Sequence, residues 1–196
     1  MEIWTSKALK SPSHFLFNID SVHEGEPLVL TFRPEELSEE LVVWHRENFR
    51  YQHHDTIRSY TQKGLRVRGN HGKREDFAYF NRARKFFGYD QFSKHRQQPN
   101  KLICIWNPAV DGDYVGEHNP CMVLVKFQPH GRELDLKVIF RKRELLSRMV
   151  GNLFMLGKWL TDEATIRKMK TGTITDFSMD TTYDPVRLKE LRKALR

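Results

Sequence analysis

The chain has 196 residues, enough for one domain with a real core, and its 39% hydrophobic and 30% charged content excludes a disordered polypeptide. The formal net charge of +8 is unevenly spread. Residues 46–101 hold 14 Lys/Arg against 5 Asp/Glu, a net of +9, whereas residues 1–45 hold 3 against 8, a net of −5.

Phe15-Leu16-Phe17 and Leu28-Val29-Leu30-Thr31 read as short strands, with Gly25 and Pro27 between them. Pro34-Glu35-Glu36 suits a helix start, because proline fits the first turn and acids face the positive end of the helix dipole. Leu37, Leu41 and Trp44 continue at helical spacing. Residues 46–100 mix aromatic side chains (Phe49, Tyr51, Tyr60, Tyr79, Phe80) with bases, and Gly64, Gly69 and Gly72 mark loops. Such interleaving suits stacking on nucleobases, or a plain aromatic core under basic loops, and the spacing favours the core. Helical pieces are expected over 77–87 and 89–96.

From residue 101 the pattern sharpens. Leu102 to Trp106 reads as a buried strand ended by Asn107-Pro108, with Cys104 in the core. Met122 to Phe127 and Leu134 to Phe140 read as a hairpin across a Pro129-His130-Gly131 turn. Met149 to Trp159 reads as a buried helix, Thr173 to Met179 as a last strand, and Asp184-Pro185 opens a basic terminal helix over Val186 to Leu195. The longest apolar runs are too short to cross a bilayer. The start Met-Glu-Ile-Trp lacks the pattern of a secretory leader, so the cytoplasm is the expected compartment, with no membrane partner. Two cysteines, Cys104 and Cys121, make no disulfide framework or metal spacing, and the His53-His54 pair is read as surface rather than as a metal site.

Four features follow one another in order: Pro99, Ile105-Trp106-Asn107-Pro108, Pro120-Cys121, and the run from Phe140-Arg141 to Asn152-Leu153-Phe154. Arg141 precedes Asn152 by eleven positions. This order resembles thymidylate synthase and the related deoxycytidylate hydroxymethylases over residues 98–184. An upstream echo lies in Pro27 to Thr31 and in Glu39-Glu40-Leu41-Val42-Val43-Trp44. The resemblance implies an α+β fold, with a mixed or antiparallel sheet packed with helices and one sheet face used for dimerisation. The whole chain is then a single domain of 1–196, with 46–97 as a divergent basic and aromatic-rich region.

The resemblance also implies the chemistry. The C5 carbon of a pyrimidine is a poor nucleophile, and a thiolate adding at C6 turns the ring into an enolate that attacks a one-carbon electrophile. Cys121 is then the nucleophile, and Glu40 or its neighbour Glu39 the general acid/base. Arg141 lies by the thiolate and the substrate phosphate, Asn152 reads the amide edge of the pyrimidine, Glu144 supports substrate and cofactor, and Lys101 binds phosphate. Lys142 stands where the family has serine, Met122 where it has histidine, and Asn100 at a phosphate arginine. The late His-x-Tyr ribose motif is absent from Thr175 to Tyr183, where only Tyr183 remains as a substrate partner.

The implied function is a pyrimidine C5 one-carbon transferase, methyl or hydroxymethyl, using 5,10-methylenetetrahydrofolate and working as a homodimer. Two alternatives stay open. One is the same chemistry on pyrimidines within DNA or RNA, for which Lys142 and the basic middle segment argue. The other is a non-catalytic member of the fold that binds nucleotide or nucleic acid. In that case Cys121 is a small core residue, Asn152 a helix cap and Arg141 a surface charge at a hairpin end.

Overall fold

A computed structural model describes residues 1–61, 66–68, 74–76, 79–84, 88–98, 100–107, 111 and 120–195, with 66–68 and 74–76 at the level of the backbone. The architecture is α+β: a mixed six-stranded sheet packed with helices. Sheet order is β1 (Glu2–Thr5), β2 (Leu28–Phe32), β9 (Lys170–Ser178), β7 (Glu133–Phe140), β6 (Met122–His130), β5 (Ile103–Cys104). Pairing is parallel for β1/β2 and β7/β9 and antiparallel for the other three neighbours.

The β6–β7 hairpin forms as its alternation predicts, but the turn is shorter than expected. Pro129 and His130 still pair with Leu134 and Glu133. Only Gly131 and Arg132 turn, and Gly131 takes φ +60°, which a side chain disfavours. The segment around Phe15 is not a strand. It lies in helix α1 (Pro12–Asp20), because Ser11 caps it through His14 N and Pro12 suits the first turn. Pro12, Phe15, Leu16 and Ile19 then recur at helical spacing and are all buried.

Pro34–Glu36 form only a short 3-10 turn, and the following helix α2 (Glu39–Asn48) starts at the Ser38 cap. Helices α3 (Arg50–Thr61), α4 (Tyr79–Arg84) and α5 (Gln91–Gln97) follow, with a separate ribbon of β3 (Arg66–Arg68) and β4 (Arg74–Asp76) between α3 and α4. The ends of the helix expected over 77–87 fall partly outside the described residues. Of the aromatic residues in this region, Phe49 and Tyr60 are buried, while Tyr51 is exposed.

Helix α6 (Met149–Ile166) is the central helix. It packs on β7 and β9 from one side and on α2 and α3 from the other. Helix α7 (Pro185–Ala194) closes the chain, capped by Asp184. Two short strands, β8 (Arg143–Glu144) and β10 (Thr181–Thr182), pair beside the main sheet.

The two sheet faces differ. The inward face carries Leu28, Leu30, Phe32, Leu134, Leu136, Val138, Phe140 and Ile174, all at or below 1% exposure. Alternate residues point to the other face, and none of those in β1, β2, β7 and β9 is buried. One row on that outer face crosses all six strands as Ile3, Val29, Phe177, Ile139, Leu124 and Cys104. Cys104 is therefore not core, as its strand run suggested. Strand β5 has only two residues and lies at the sheet edge, so Cys104 is exposed while Ile103 is buried.

Candidate active site

Cys121 sits at the start of β6, partly buried and packed against the core. Its position is set by the neighbouring hairpin strand. The backbone N–H of Arg141 donates to the Cys121 carbonyl at 2.8 Å, and Arg141 Nε donates to the Pro120 carbonyl at 3.3 Å. The Arg141 guanidinium also lies 5.6 Å from the Trp106 ring. Three of the four sequence features, Trp106, Pro120-Cys121 and Arg141, thus meet at one end of the sheet.

Two tyrosines, whose spacing in the sequence marks them only as core candidates, belong to the same core that Cys121 packs against. Tyr60 is fully buried, and its ring meets Tyr79 edge to face at 5.1 Å. Burial pushes both phenols upward in pKa, with added repulsion from Tyr79 in the case of Tyr60 and from Cys121 in both. They therefore stay protonated at neutral pH, and a protonated phenol can donate a hydrogen bond.

The interior also holds an ion pair. Asp176 occupies the inward phase of β9 between Leu30 and Val138 and is 1% exposed. A lone carboxylate there would carry a large desolvation cost. Arg143, also 1% exposed, supplies the compensating charge through Nη2 on Asp176 and Nε on Ser178 Oγ at 3.3 Å. Its guanidinium stacks on Phe140 at 3.4 Å, and its charge eases the ionised forms of Tyr60 and Tyr79. An acid in the buried phase of an alternating strand is the sequence signal for this pair.

The remaining expected residues divide. Asn152 is 7% exposed in the first turn of α6, and it is not the helix cap, a position held by Arg148. Arg148 pairs with Asp55 at 2.6 Å and its charge reaches Tyr79. Lys142 and Lys101 are both exposed. Glu144 braces its own turn. Its carboxylate accepts from Leu146 N at 3.1 Å and from Ser147 N and Oγ at 2.6 and 2.5 Å. These bonds close the turn that launches α6. Tyr183 donates its hydroxyl to the Val22 carbonyl at 3.3 Å. Glu40 and Glu39 line a surface groove with Pro12, Trp44 and Leu195, and this groove takes in none of the other expected site residues.

His53 is not on the surface. It is 2% exposed and its Nδ1 lies 3.0 Å from Nδ1 of His45, itself fully buried. Among the described residues no group of three or more His, Cys, Asp or Glu side chains is arranged to hold a metal. None of the described helices is long and apolar enough to cross a membrane.

No protein-family model matches the chain, and no curated protein matches it either.

Proposed function

We propose that the protein is a pyrimidine C5 one-carbon transferase in which Cys121 adds to C6 of a uracil-type nucleotide. The observation that carries this reading is the bracing of a partly accessible Cys121 by Arg141 and the Trp106 ring at one end of the sheet. In the reaction Cys121 Sγ bonds to C6 and the C5–C6 π electrons move toward the C4 carbonyl as an enolate. Asn152, which the resemblance sets against the amide edge of the ring, stabilises that charge as a hydrogen-bond donor. C5 then bonds to the methylene carbon of the electrophile, the bond from that carbon to the donor's nitrogen breaks as the C5 proton leaves to a base, water (for hydroxymethyl) or a hydride from the reduced donor (for methyl) adds to that carbon, and the thiolate is expelled as the C5–C6 double bond re-forms. Neither the groove at Glu39 and Glu40 nor the cavity lined by Tyr60 and Trp159 takes in Cys121. The carbon donor therefore follows from the chemistry alone: the enolate needs an electrophile at the formaldehyde level, which 5,10-methylenetetrahydrofolate supplies.

This reading includes a homodimer that covers the outer sheet face. The apolar row from Ile3 to Cys104 supports it, since a second copy would remove that row from water. The exposure of Lys142, next to Arg141, and of Lys101 favours a second reading, the same chemistry on pyrimidines within nucleic acid.

Tritium release from 5-tritiated uracil and cytosine tests both readings. Deoxynucleoside monophosphates and oligonucleotides are offered to wild type and Cys121→Ser, with and without methylenetetrahydrofolate. Release that requires Cys121 from the monophosphate supports the transferase, and release from the oligonucleotide alone selects the second reading. No release from a folded protein refutes both and leaves a binding role.

A further inference from the structure

The surface groove along α2 combines an apolar lining with carboxylates that nothing in the chain answers. It has a volume of about 470 Å³ and is bounded by Pro12 of α1, by α2 and by Leu195 just past α7. Its apolar lining is Pro12, Val43, Trp44 and Leu195. Val43 and Trp44 are half-buried, and Leu195 is 38% exposed. The Trp44 ring meets buried Phe49 edge to face at 6.2 Å and 75°, so a partner encounters an aromatic side chain already held in place. Glu40, Val43, Trp44 and Glu47 stand at i, i+3, i+4 and i+7 of α2 and therefore share one stripe of the helix. Two apolar residues thus lie between carboxylates set about 10 Å apart along the helix axis.

Local helix electrostatics accounts for only part of this acid. Glu39 and Glu40 lie in the first turn of α2, where carboxylates suit the positive end of the helix dipole. Glu47 lies in the last turn, where the dipole opposes it. All three are exposed, and among the described residues no Lys or Arg pairs with any of them. On α7, Arg187 is engaged by Glu190 at 3.0 Å and Arg192 by Asp20 at 2.6 Å. The carboxylates stand in the acidic first part of a chain whose net charge is +8. Their complement is a partner that brings its own cations.

We infer that this groove docks a basic amphipathic helix of a protein partner. Lys or Arg residues seven positions apart face Glu40 and Glu47, and the apolar residues between them pack on Val43 and Trp44. Two helices lying side by side rise equally per residue, so the complement of the α2 stripe is the same stripe with its charges reversed. Neither Cys121 nor Arg141 lines the groove, so the inference stands or falls separately from the transferase reading.

The test uses a short dye-labelled peptide with Lys, Leu, Leu and Lys at i, i+3, i+4 and i+7 of an alanine-glutamine helix, titrated with the full chain and read by fluorescence anisotropy. One control peptide carries Glu in place of both Lys, and another carries Gln in place of both Leu. Saturable binding of the Lys peptide is expected, at least about tenfold tighter than either control and weakening as added salt screens the exposed charges. Glu40→Lys combined with Glu47→Lys should lose the Lys peptide and gain the Glu peptide. Both positions are exposed, so the fold should survive the change, which circular dichroism checks. Four results would each overturn the inference: no saturable binding up to about 1 mM peptide, equal affinity for the Glu peptide, equal affinity for the Gln peptide, or unchanged binding in the double variant. Self-association of the chain that Glu47→Lys abolishes, without peptide binding, would assign the groove to a second copy and overturn it as well.

Discussion

Arg143 and Asp176 form an ion pair in which both side chains are 1% exposed, and the charge of each bears on the buried phenol of Tyr60. Both partners lie in the interior, so neither can recover its hydration if the other is lost. Arg143→Met should therefore destabilise the fold by about 3–5 kcal/mol, because Asp176 is left charged and unpaired. The double change Arg143→Met with Asp176→Leu should recover most of that loss. Urea unfolding of both variants against wild type measures it, and a single variant as stable as wild type would deny the pair its structural role.

The buried histidines make stability depend on pH. Burial, then the facing His53, lowers His45 to about 4 from an ordinary 6.5, and burial, then Arg167, does the same for His95. His53 is lowered too, by burial first and then by His54 and Arg46. Between pH 6.5 and about 4 the unfolded chain binds protons that the folded chain refuses. Stability should therefore be fully present above pH 6.5 and fall as the pH drops toward 4. His45→Phe, which stacks where His45 now meets Phe49 at 5.2 Å, should flatten that slope. Denaturation midpoints at pH 7.5 and 5 give the comparison, and equal slopes in the two proteins would contradict it.

Glu144 ties three donors of the 145–148 turn. Glu144→Ala should cost about 1–2 kcal/mol and fray the start of α6, as loss of a helix cap does. Hydrogen exchange at the amides of Leu146 and Ser147 reads this directly. Protection unchanged in the variant would leave Glu144 available as the substrate contact that the resemblance implies.

The outer sheet face can be tested in solution. Phe177 sits at the centre of the apolar row, paired with Val29 on one side and Ile139 on the other. Phe177→Lys should shift the chain from dimer to monomer in sedimentation while leaving its melting transition cooperative, since like charges would face each other across a two-fold interface. A wild-type chain that sediments only as monomer would remove the dimer from the proposal.

The local elements are largely legible in the sequence. Alternation of apolar and polar residues marks β6, β7 and β9, and helical spacing marks α2 and α6. Phe15 to Phe17 mislead because three apolar residues in a row fit either period, and only the Ser11-Pro12 start, combined with Ile19, selects the helix. Cys104 misleads because a run of apolar residues cannot say that its strand lies at a sheet edge.

The site is legible only in part. Cys121 and Arg141 follow from the order of motifs, and the hairpin does place them in contact. Glu144 and Tyr183 follow from the same order, yet their polar atoms bond within this chain. Nothing in the local pattern singles out Arg143 as the partner of a buried acid, and Asp176 is marked only by its phase in β9.

Sequence by itself determined the charge distribution and the strand and helix periods, because each is carried by one residue or by near neighbours along the chain. Tertiary structure alone decided which polar groups are paired. Asp176 meets Arg143 from 33 positions away, and Trp159 packs on Tyr60 from 99 positions away. A buried charge or ring is stabilised by whatever the fold sets against it, and that partner has no fixed separation along the chain.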